Sequence, residues 1–157
     1  MTTRQSSWLG TIALVATWAT PALAAEDVHD SVVVVFDASG SMGEAMGGMF
    51  SRTESKMVAA KRALQTVLTA LPATTHVGLL VFSDARPNGW VHPLGIRDEA
   101  KLRAALDPNE RNPDAIKPSG GTPLGEYMKH GADRLLDVRG DRYGYGSYRL
   151  LIVTDGE

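Results

Sequence analysis

The sequence predicts an α/β fold in three layers, with helices on both faces of a mainly parallel sheet that has one antiparallel edge strand. Apolar runs rich in β-branched residues alternate along the chain with segments whose apolar residues recur at helical spacing. This alternation is typical of strand–helix–strand units built around a parallel sheet. The chain has 157 residues, 43% of them hydrophobic and 22% charged, which fits one globular domain rather than a disordered chain.

Two of the four predicted strands are buried, and a third lies at an edge. Residues 31–36 and 76–82 are continuous apolar runs, the pattern of strands that are covered on both faces. The third strand, 90–94, contains Pro93, which suits the edge of a sheet. The short turn before it predicts that it runs antiparallel to the second strand. The fourth strand covers residues 148–154.

Three helices are predicted between these strands. The first extends from residue 53 to 71, and Ser51 and Glu54 form a capping box at its start. The second extends from 98 to 106, and the third begins at Pro123, which favours the first helical position, and ends near 138. The residues predicted to face the core are Met57, Ala60, Leu64, Val67, Leu68 and Leu71 in the first helix, Leu102, Ala105 and Leu106 in the second, and Leu124, Met128, Ala132, Leu135 and Leu136 in the third.

The composition argues against several classes of function. The net charge is -2 and Lys and Arg are scattered, so no nucleic-acid partner is expected. The chain has no Cys, which excludes disulfides and Cys-ligated zinc. No phosphate-binding glycine loop and no serine-hydrolase motif occur. The four His residues lack the spacing of zinc ligands, and we expect His76 to begin a strand and His29, His92 and His130 to lie at the surface.

The first 24 residues have the features of a secretory signal peptide. A single cation precedes an uncharged, largely apolar stretch that ends in Ala22-Leu23-Ala24. This small-residue pattern predicts cleavage after Ala24 and a secreted or periplasmic protein. Residues 25–30 would then be a polar lead-in and residues 31–157 the domain. A membrane connection would need either an uncleaved signal segment or a C-terminal anchor that this sequence lacks.

Two acids and three hydroxyls are predicted to meet at one edge of the sheet. Asp37, Ser39 and Ser41 follow the first strand directly, Asp155 follows the fourth, and Thr122 precedes the third helix. Ligands of open α/β sheets bind at the carboxyl ends of the strands, so we expect these side chains to share a pocket. Oxygen donors without His or Cys favour Mg²⁺, with Mn²⁺ or Ca²⁺ as alternatives. Each segment alone also fits an ordinary turn or helix cap.

Three segments resemble motifs of the von Willebrand factor type A domains, a family that includes the inserted domains of integrins. Residues 36–42 (FDASGSM) resemble the D-x-S-x-S motif, residues 120–124 (GGTPL) the threonine loop, and residues 153–157 (VTDGE) the T-D-G turn. The resemblance covers about residues 30–157. It implies a Rossmann-like α/β fold and a metal-ion-dependent adhesion site.

The resemblance also assigns roles to the five residues of that site. It implies that Ser39, Ser41 and Thr122 bind the metal through their hydroxyls, and that Asp37 and Asp155 bind it mostly through water. The implied function is divalent-metal-dependent binding of a protein partner, whose acidic residue completes the metal coordination. Catalysis is not implied.

Two other functions stay open from the sequence. The same carboxylates could serve a metal-dependent phosphoester hydrolase, although no His is placed as a general base. The chain could also be a non-functional fragment, because domains of this family continue past the T-D-G turn. We therefore expect a truncated product of a longer gene, or else a partner that covers the edge of the fourth strand.

Overall fold

The computed structural model describes residues 29–46, 54–83, 89–121, 123–141 and 145–156. The strands in these ranges are β1 (Ser31–Asp37), β2 (His76–Phe82), β3 (Trp90–Gly95) and β4 (Tyr148–Val153). They form one sheet in the order β3-β2-β1-β4. β1 is parallel to β2 and β4, and β3 is antiparallel to β2. The predicted mainly parallel sheet with an antiparallel edge strand is confirmed.

Helices cover both faces of this sheet. The helices in the described ranges are α1 (Lys56–Ala70), α2 (Glu99–Ala105) and α3 (Leu124–Asp141), and a 3-10 turn spans Gly40–Gly43. Alternate residues of β1 point to opposite faces: Val32, Val34 and Phe36 pack in the cluster with α1 and α2, whereas Val33 and Val35 pack in the cluster with α3. The three-layer α/β fold is therefore confirmed.

α1 begins later than the sequence predicted. Ser55 is its N-cap, and the Ser55 Oγ accepts a hydrogen bond of 3.3 Å from a backbone N–H in the first turn. Glu54 is not helical, because its carbonyl accepts a hydrogen bond of 3.0 Å from the Met46 N–H and Ser55 pairs with Ala45 in an antiparallel bridge. The predicted start at 53 and the capping box with Glu54 are therefore wrong. Ser51 lies outside the described residues.

Two residues predicted to face the core are exposed instead. Val67 is 43% exposed and Leu136 is 58% exposed. In α1 the buried face follows 57, 61, 64 and 68, so Lys61 occupies a core position that the hydrophobic pattern did not include. Val67 and Leu136 are each adjacent to a buried residue on the helix, which places them about 100° away from the core direction.

His92 was predicted to lie at the surface and is buried, with 6% of its area exposed. Its Nδ1 donates a hydrogen bond of 3.0 Å to the Val77 carbonyl, and its Nε2 accepts one of 3.2 Å from the Asp98 N–H. The side chain therefore connects β3 to β2 and to the N-cap of α2. This structural role explains its burial.

β4 lies at an edge of the sheet, as predicted. It pairs with β1, and no other strand in the described ranges pairs with it. Residues 150–153 are half-buried. The predicted signal peptide, residues 1–24, lies outside the described residues, as does most of the predicted lead-in, 25–30. Within the described ranges, no helix combines the length and the apolar character needed to cross a membrane.

Lys61 is a charged residue inside the core. Its side chain is fully buried, and its Nζ donates a hydrogen bond of 2.8 Å to the Asp107 carbonyl. This bond connects α1 to the loop that follows α2. Burial lowers the pKa of Lys61, and the nearby charges of Glu110 and Asp107 only partly offset that effect.

The lowered pKa of Lys61 predicts a pH-dependent stability. Below 10.5, the ordinary pKa of Lys, the unfolded chain holds this proton more often than the folded chain does. The contribution of Lys61 to the free energy of unfolding should therefore be complete above that pH and be lost as the pH falls through the lower, folded pKa. Urea denaturation at a series of pH values should show this slope, and Lys61→Met should flatten it. Lys101→Met, at an exposed position of α2, is the control and should keep the slope. An unchanged slope in Lys61→Met would contradict the prediction.

Candidate metal centre

Asp37 ends β1 and is held at the carboxyl edge of the sheet. Its carboxylate is fully buried. Its Oδ1 accepts a hydrogen bond of 2.8 Å from the Ser39 N–H, and its Oδ2 accepts one of 2.7 Å from the Thr154 hydroxyl. The second bond joins the segments that follow β1 and β4. The carboxyl ends of these two adjacent parallel strands therefore meet, as the sequence predicted.

Ser39 and Ser41 present their hydroxyls side by side. Their Oγ atoms are 3.1 Å apart, and Ser39 is buried. Ser39 is also the N-cap of the 3-10 turn, but its hydroxyl makes no capping hydrogen bond. The turn is anchored by the buried Met42 side chain. The hydroxyl of Ser39 is therefore not used in a helix cap. The hydrogen bond from the Ser39 N–H to Asp37 forms an Asx turn, which a purely structural role of this segment also predicts.

The loop before α3 lies against the segment that follows β1. The Gly40 N–H donates a hydrogen bond of 3.1 Å to the Gly120 carbonyl, and the Ser119 N–H donates one of 2.7 Å to the Ala38 carbonyl. Gly120 has a φ of 78°, a left-handed conformation that favours Gly. Thr122 lies outside the described residues, so its role as a ligand stays a prediction. Gly120, two positions earlier in the sequence, is in contact with the candidate site.

Asp155 follows Thr154 and forms an ion pair with Lys56. The Asp155 Oδ2 is 3.0 Å from the Lys56 Nζ. The same ammonium lies 3.2 Å from the Oε2 of Glu44. The Asp155 side chain is only 9% exposed and that of Lys56 is 21% exposed, whereas that of Glu44 is 64% exposed. The stronger of the two pairs is therefore the one with Asp155, because water screens it less.

Sequence reasoning did not include Lys56 or Thr154 in the site. Thr154 is the first residue of the T-D-G turn, directly before Asp155. Its hydroxyl is a hydrogen-bond donor, so the motif itself could have indicated Thr154. Lys56 is the first residue of α1, where the helix dipole disfavours a cation. A cation at this unfavourable position is a local conflict of the kind that marks functional sites, and it could have drawn attention to Lys56.

The donors in this part of the fold fit a hard divalent cation. Asp37 is a buried carboxylate with which no cationic side chain of the described residues forms an ion pair. A buried charge of this kind is costly unless an opposite charge compensates it. The two Ser hydroxyls nearby are the uncharged oxygen ligands that Mg²⁺ and Ca²⁺ accept. The described residues contain no cluster of three or more His, Cys, Asp or Glu that could hold a metal ion.

This fold and this edge of the sheet match a known family. The family model described as von Willebrand factor type A domain matches residues 32–157. The chain therefore belongs to the von Willebrand factor type A domain family. Domains of this family typically bind proteins, so the class to which the chain belongs is that of protein-interaction or adhesion modules.

Two proteins of Bacillus subtilis (strain 168) are similar to this chain. Uncharacterized protein YwmD is 30% identical over an alignment of 148 residues, and the match covers 88% of this chain and 61% of YwmD. Uncharacterized protein YwmC is 29% identical over an alignment of 150 residues, and the match covers 87% of this chain and 61% of YwmC. The chain spans about three fifths of the length of these relatives. Their names state no activity.

Proposed function

We propose that this chain is an exported, non-enzymatic module that holds Mg²⁺, or alternatively Mn²⁺ or Ca²⁺, and binds an acidic residue of a protein partner. The observation that carries the proposal is the buried Asp37 carboxylate, which lacks an ion-pair partner in the described ranges and accepts a hydrogen bond from the N–H of Ser39. The hydroxyl of Ser39 lies 3.1 Å from that of Ser41. Family membership supports the protein-binding part. The signal-peptide pattern of residues 1–24 supports export.

The charges of the site explain why a partner carboxylate is the expected ligand. Asp37 and Asp155 together supply two negative charges, which balance a dication, and the hydroxyls of Ser39, Ser41 and Thr122 add none. A bound metal ion would supply an electrophile to which a partner's carboxylate can bind. The role of Asp37 would be to orient the ligands, because its two oxygens already accept bonds from Ser39 and Thr154.

Divalent metal should stabilise the folded protein. A ligand that binds only the folded state adds about 2.7 kcal/mol to the free energy of unfolding at a concentration of 100 times its Kd. Titration with MgCl₂ should therefore raise the Tm by several degrees, and EDTA should reverse the rise. NaCl at matched ionic strength is the control and should leave the Tm near its starting value.

Two results would overturn the proposal. One is a folded protein whose Tm does not respond to about 10 mM Mg²⁺, Mn²⁺ or Ca²⁺, since a site for hard cations should be filled by at least one of them. The other is hydrolysis of p-nitrophenyl phosphate that depends on Mg²⁺ and is lost in Asp37→Asn, because this would identify a phosphoester hydrolase.

A further inference from the structure

Lys56 places a positive charge against Asp155, one of the predicted residues of the candidate metal centre. Its Nζ is 3.0 Å from the Oδ2 of Asp155, a residue 99 positions away in the sequence. Asp155 is one of the two acids that would balance the charge of a bound dication. The structure thus pairs one of the predicted metal-site carboxylates with a cation that belongs to the chain itself.

The backbone holds Lys56 at this position. Its N–H donates a hydrogen bond of 2.9 Å to the Glu44 carbonyl, and its ammonium donates one of 3.2 Å to the Glu44 carboxylate. Ser55 caps the helix directly before it. Lys56 is therefore tied to the segment that carries Ser39 and Ser41, and its side chain reaches from there to the turn after β4.

We propose that Lys56 is an internal competitor for the metal. Its ammonium neutralises Asp155 in the metal-free protein and has to give up this ion pair when a divalent cation binds. The inference rests on the proposed function, because a competitor needs a metal that it opposes. It assigns to Lys56 the role of setting the metal affinity, which neither the sequence motifs nor the relatives' names indicate.

Competition predicts effects of opposite sign in the two states. Without metal, loss of Lys56 leaves the poorly exposed Asp155 carboxylate without this compensating charge, so the fold should become less stable. With metal, loss of Lys56 removes a positive charge that repels the cation and frees Asp155 to act on it. A side chain with a purely structural role would lower the stability in both states and leave the metal affinity unchanged.

The test is isothermal titration of the whole chain with MgCl₂, together with the Tm in EDTA and in saturating Mg²⁺. We expect Lys56→Met to lower the Kd for Mg²⁺ by roughly tenfold or more, and each factor of ten corresponds to about 1.4 kcal/mol of binding free energy. We also expect this variant to have a lower Tm than the wild type in EDTA. Lys56→Gln should behave in the same way and serves if the Met variant fails to fold. Lys56→Arg retains the charge and should stay within about twofold of the wild-type Kd.

A second Lys–Asp pair of the chain provides the matched control. Lys129 and Asp133 form an exposed pair on α3, with Nζ and Oδ2 2.5 Å apart. Lys129→Met makes the same change in charge and should leave the Kd for Mg²⁺ within about twofold of wild type, because water screens exposed charges.

The outcomes separate the two proposals. If the wild type binds Mg²⁺ and neither Lys56→Met nor Lys56→Gln binds it more tightly, the role of Lys56 is wrong and the metal site stands. If Lys129→Met tightens binding as much as Lys56→Met, the effect is one of net charge and the role of Lys56 is wrong. If the wild type and both Lys56 variants are folded and bind none of Mg²⁺, Mn²⁺ and Ca²⁺, the proposed function fails and the competitor role fails with it. Binding that calorimetry detects only in the Lys56 variants supports both proposals if the wild-type Tm still rises in about 10 mM Mg²⁺, and it contradicts the proposed function if the wild-type Tm does not rise.

Discussion

Replacing Asp37 with Asn is expected to lower the affinity for Mg²⁺ by about 100-fold and to leave the metal-free fold at least as stable as that of the wild type. The loss of affinity follows from the charge, because Asn offers no negative charge to a dication. It also follows from the position of Asp37, which connects the Ser39 backbone to the Thr154 hydroxyl at the meeting point of β1 and β4.

The stability of the metal-free variant follows from the hydrogen bonds. The Asn side-chain oxygen can accept the bond that Asp37 Oδ1 accepts from the Ser39 N–H, and the amide nitrogen can donate to the Thr154 oxygen in place of the present bond to Oδ2. The substitution removes a fully buried charge that lacks a cationic partner in the described ranges. We therefore expect the free energy of unfolding in EDTA to stay equal or to rise by about 1 kcal/mol.

Urea denaturation with EDTA and with saturating Mg²⁺ measures both effects. The wild type should gain stability from Mg²⁺, whereas Asp37→Asn should gain none at the same concentration. Asp137→Asn, an exposed position of α3, makes the same chemical change elsewhere and should keep the Mg²⁺ response. A response of wild-type size in Asp37→Asn would contradict a metal site at this edge of the sheet.

The strands were predictable because their signals are local. The continuous apolar runs at 31–36 and 76–82 indicate burial on both faces whatever surrounds them, and the Pro in 90–94 indicates an edge. The boundaries of α1 were less predictable, since a bridge between Ala45 and Ser55 sets its start. Such a bridge depends on two segments that meet only in the folded chain.

The burial of polar side chains was not predictable from hydrophobic periodicity. Lys61 and His92 are buried because each finds hydrogen-bond partners in a different segment, namely the Asp107 carbonyl for Lys61 and the Val77 carbonyl and Asp98 N–H for His92. A pattern of apolar residues contains no information on such partners.

In the candidate site, too, some residues were predictable from a local motif and others were not. The motif D-x-S-x-S indicated Asp37, Ser39 and Ser41, and the structure brings their polar atoms together. The ion pair between Lys56 and Asp155 joins residues far apart in the sequence, so no local motif contains it. The position of a charge relative to a candidate metal site is a tertiary property, and hydrophobic patterns and short motifs do not contain it.

Replacing Gly131 with Val is expected to lower the free energy of unfolding by about 3 kcal/mol or more. Helix propensity alone predicts a slight gain, because Gly is the poorest helix former after Pro. The packing decides otherwise. A Cβ on Gly131 would lie 2.9 Å from Leu150 Cδ1, 3.1 Å from Val33 Cγ1 and 3.2 Å from Val35 Cγ2.

These three contacts fix the distance between α3 and the sheet. Val33 and Val35 belong to the central strand β1, both are fully buried, and their β-branched side chains have little freedom to rotate away. A Cβ with two further methyl groups would therefore push α3 away from β1 and β4, and the displaced helix would lose its own apolar contacts. Because β1 ends at Asp37, this packing also supports the edge of the sheet on which the candidate site is built.

A second glycine of the same helix separates packing from helix propensity. Gly140 lies near the end of α3 and is exposed. Apart from its chain neighbours and the backbone of its own helix, no atom of the described residues lies within 4 Å of an added Cβ. Gly140→Val should change the free energy of unfolding by no more than about 0.5 kcal/mol, since only the small difference in helix propensity remains. Urea denaturation of both variants in EDTA measures the contrast without any contribution from metal. If Gly131→Val lost less than about 1 kcal/mol, or no more than Gly140→Val, α3 would not be packed against β1 as closely as these distances indicate.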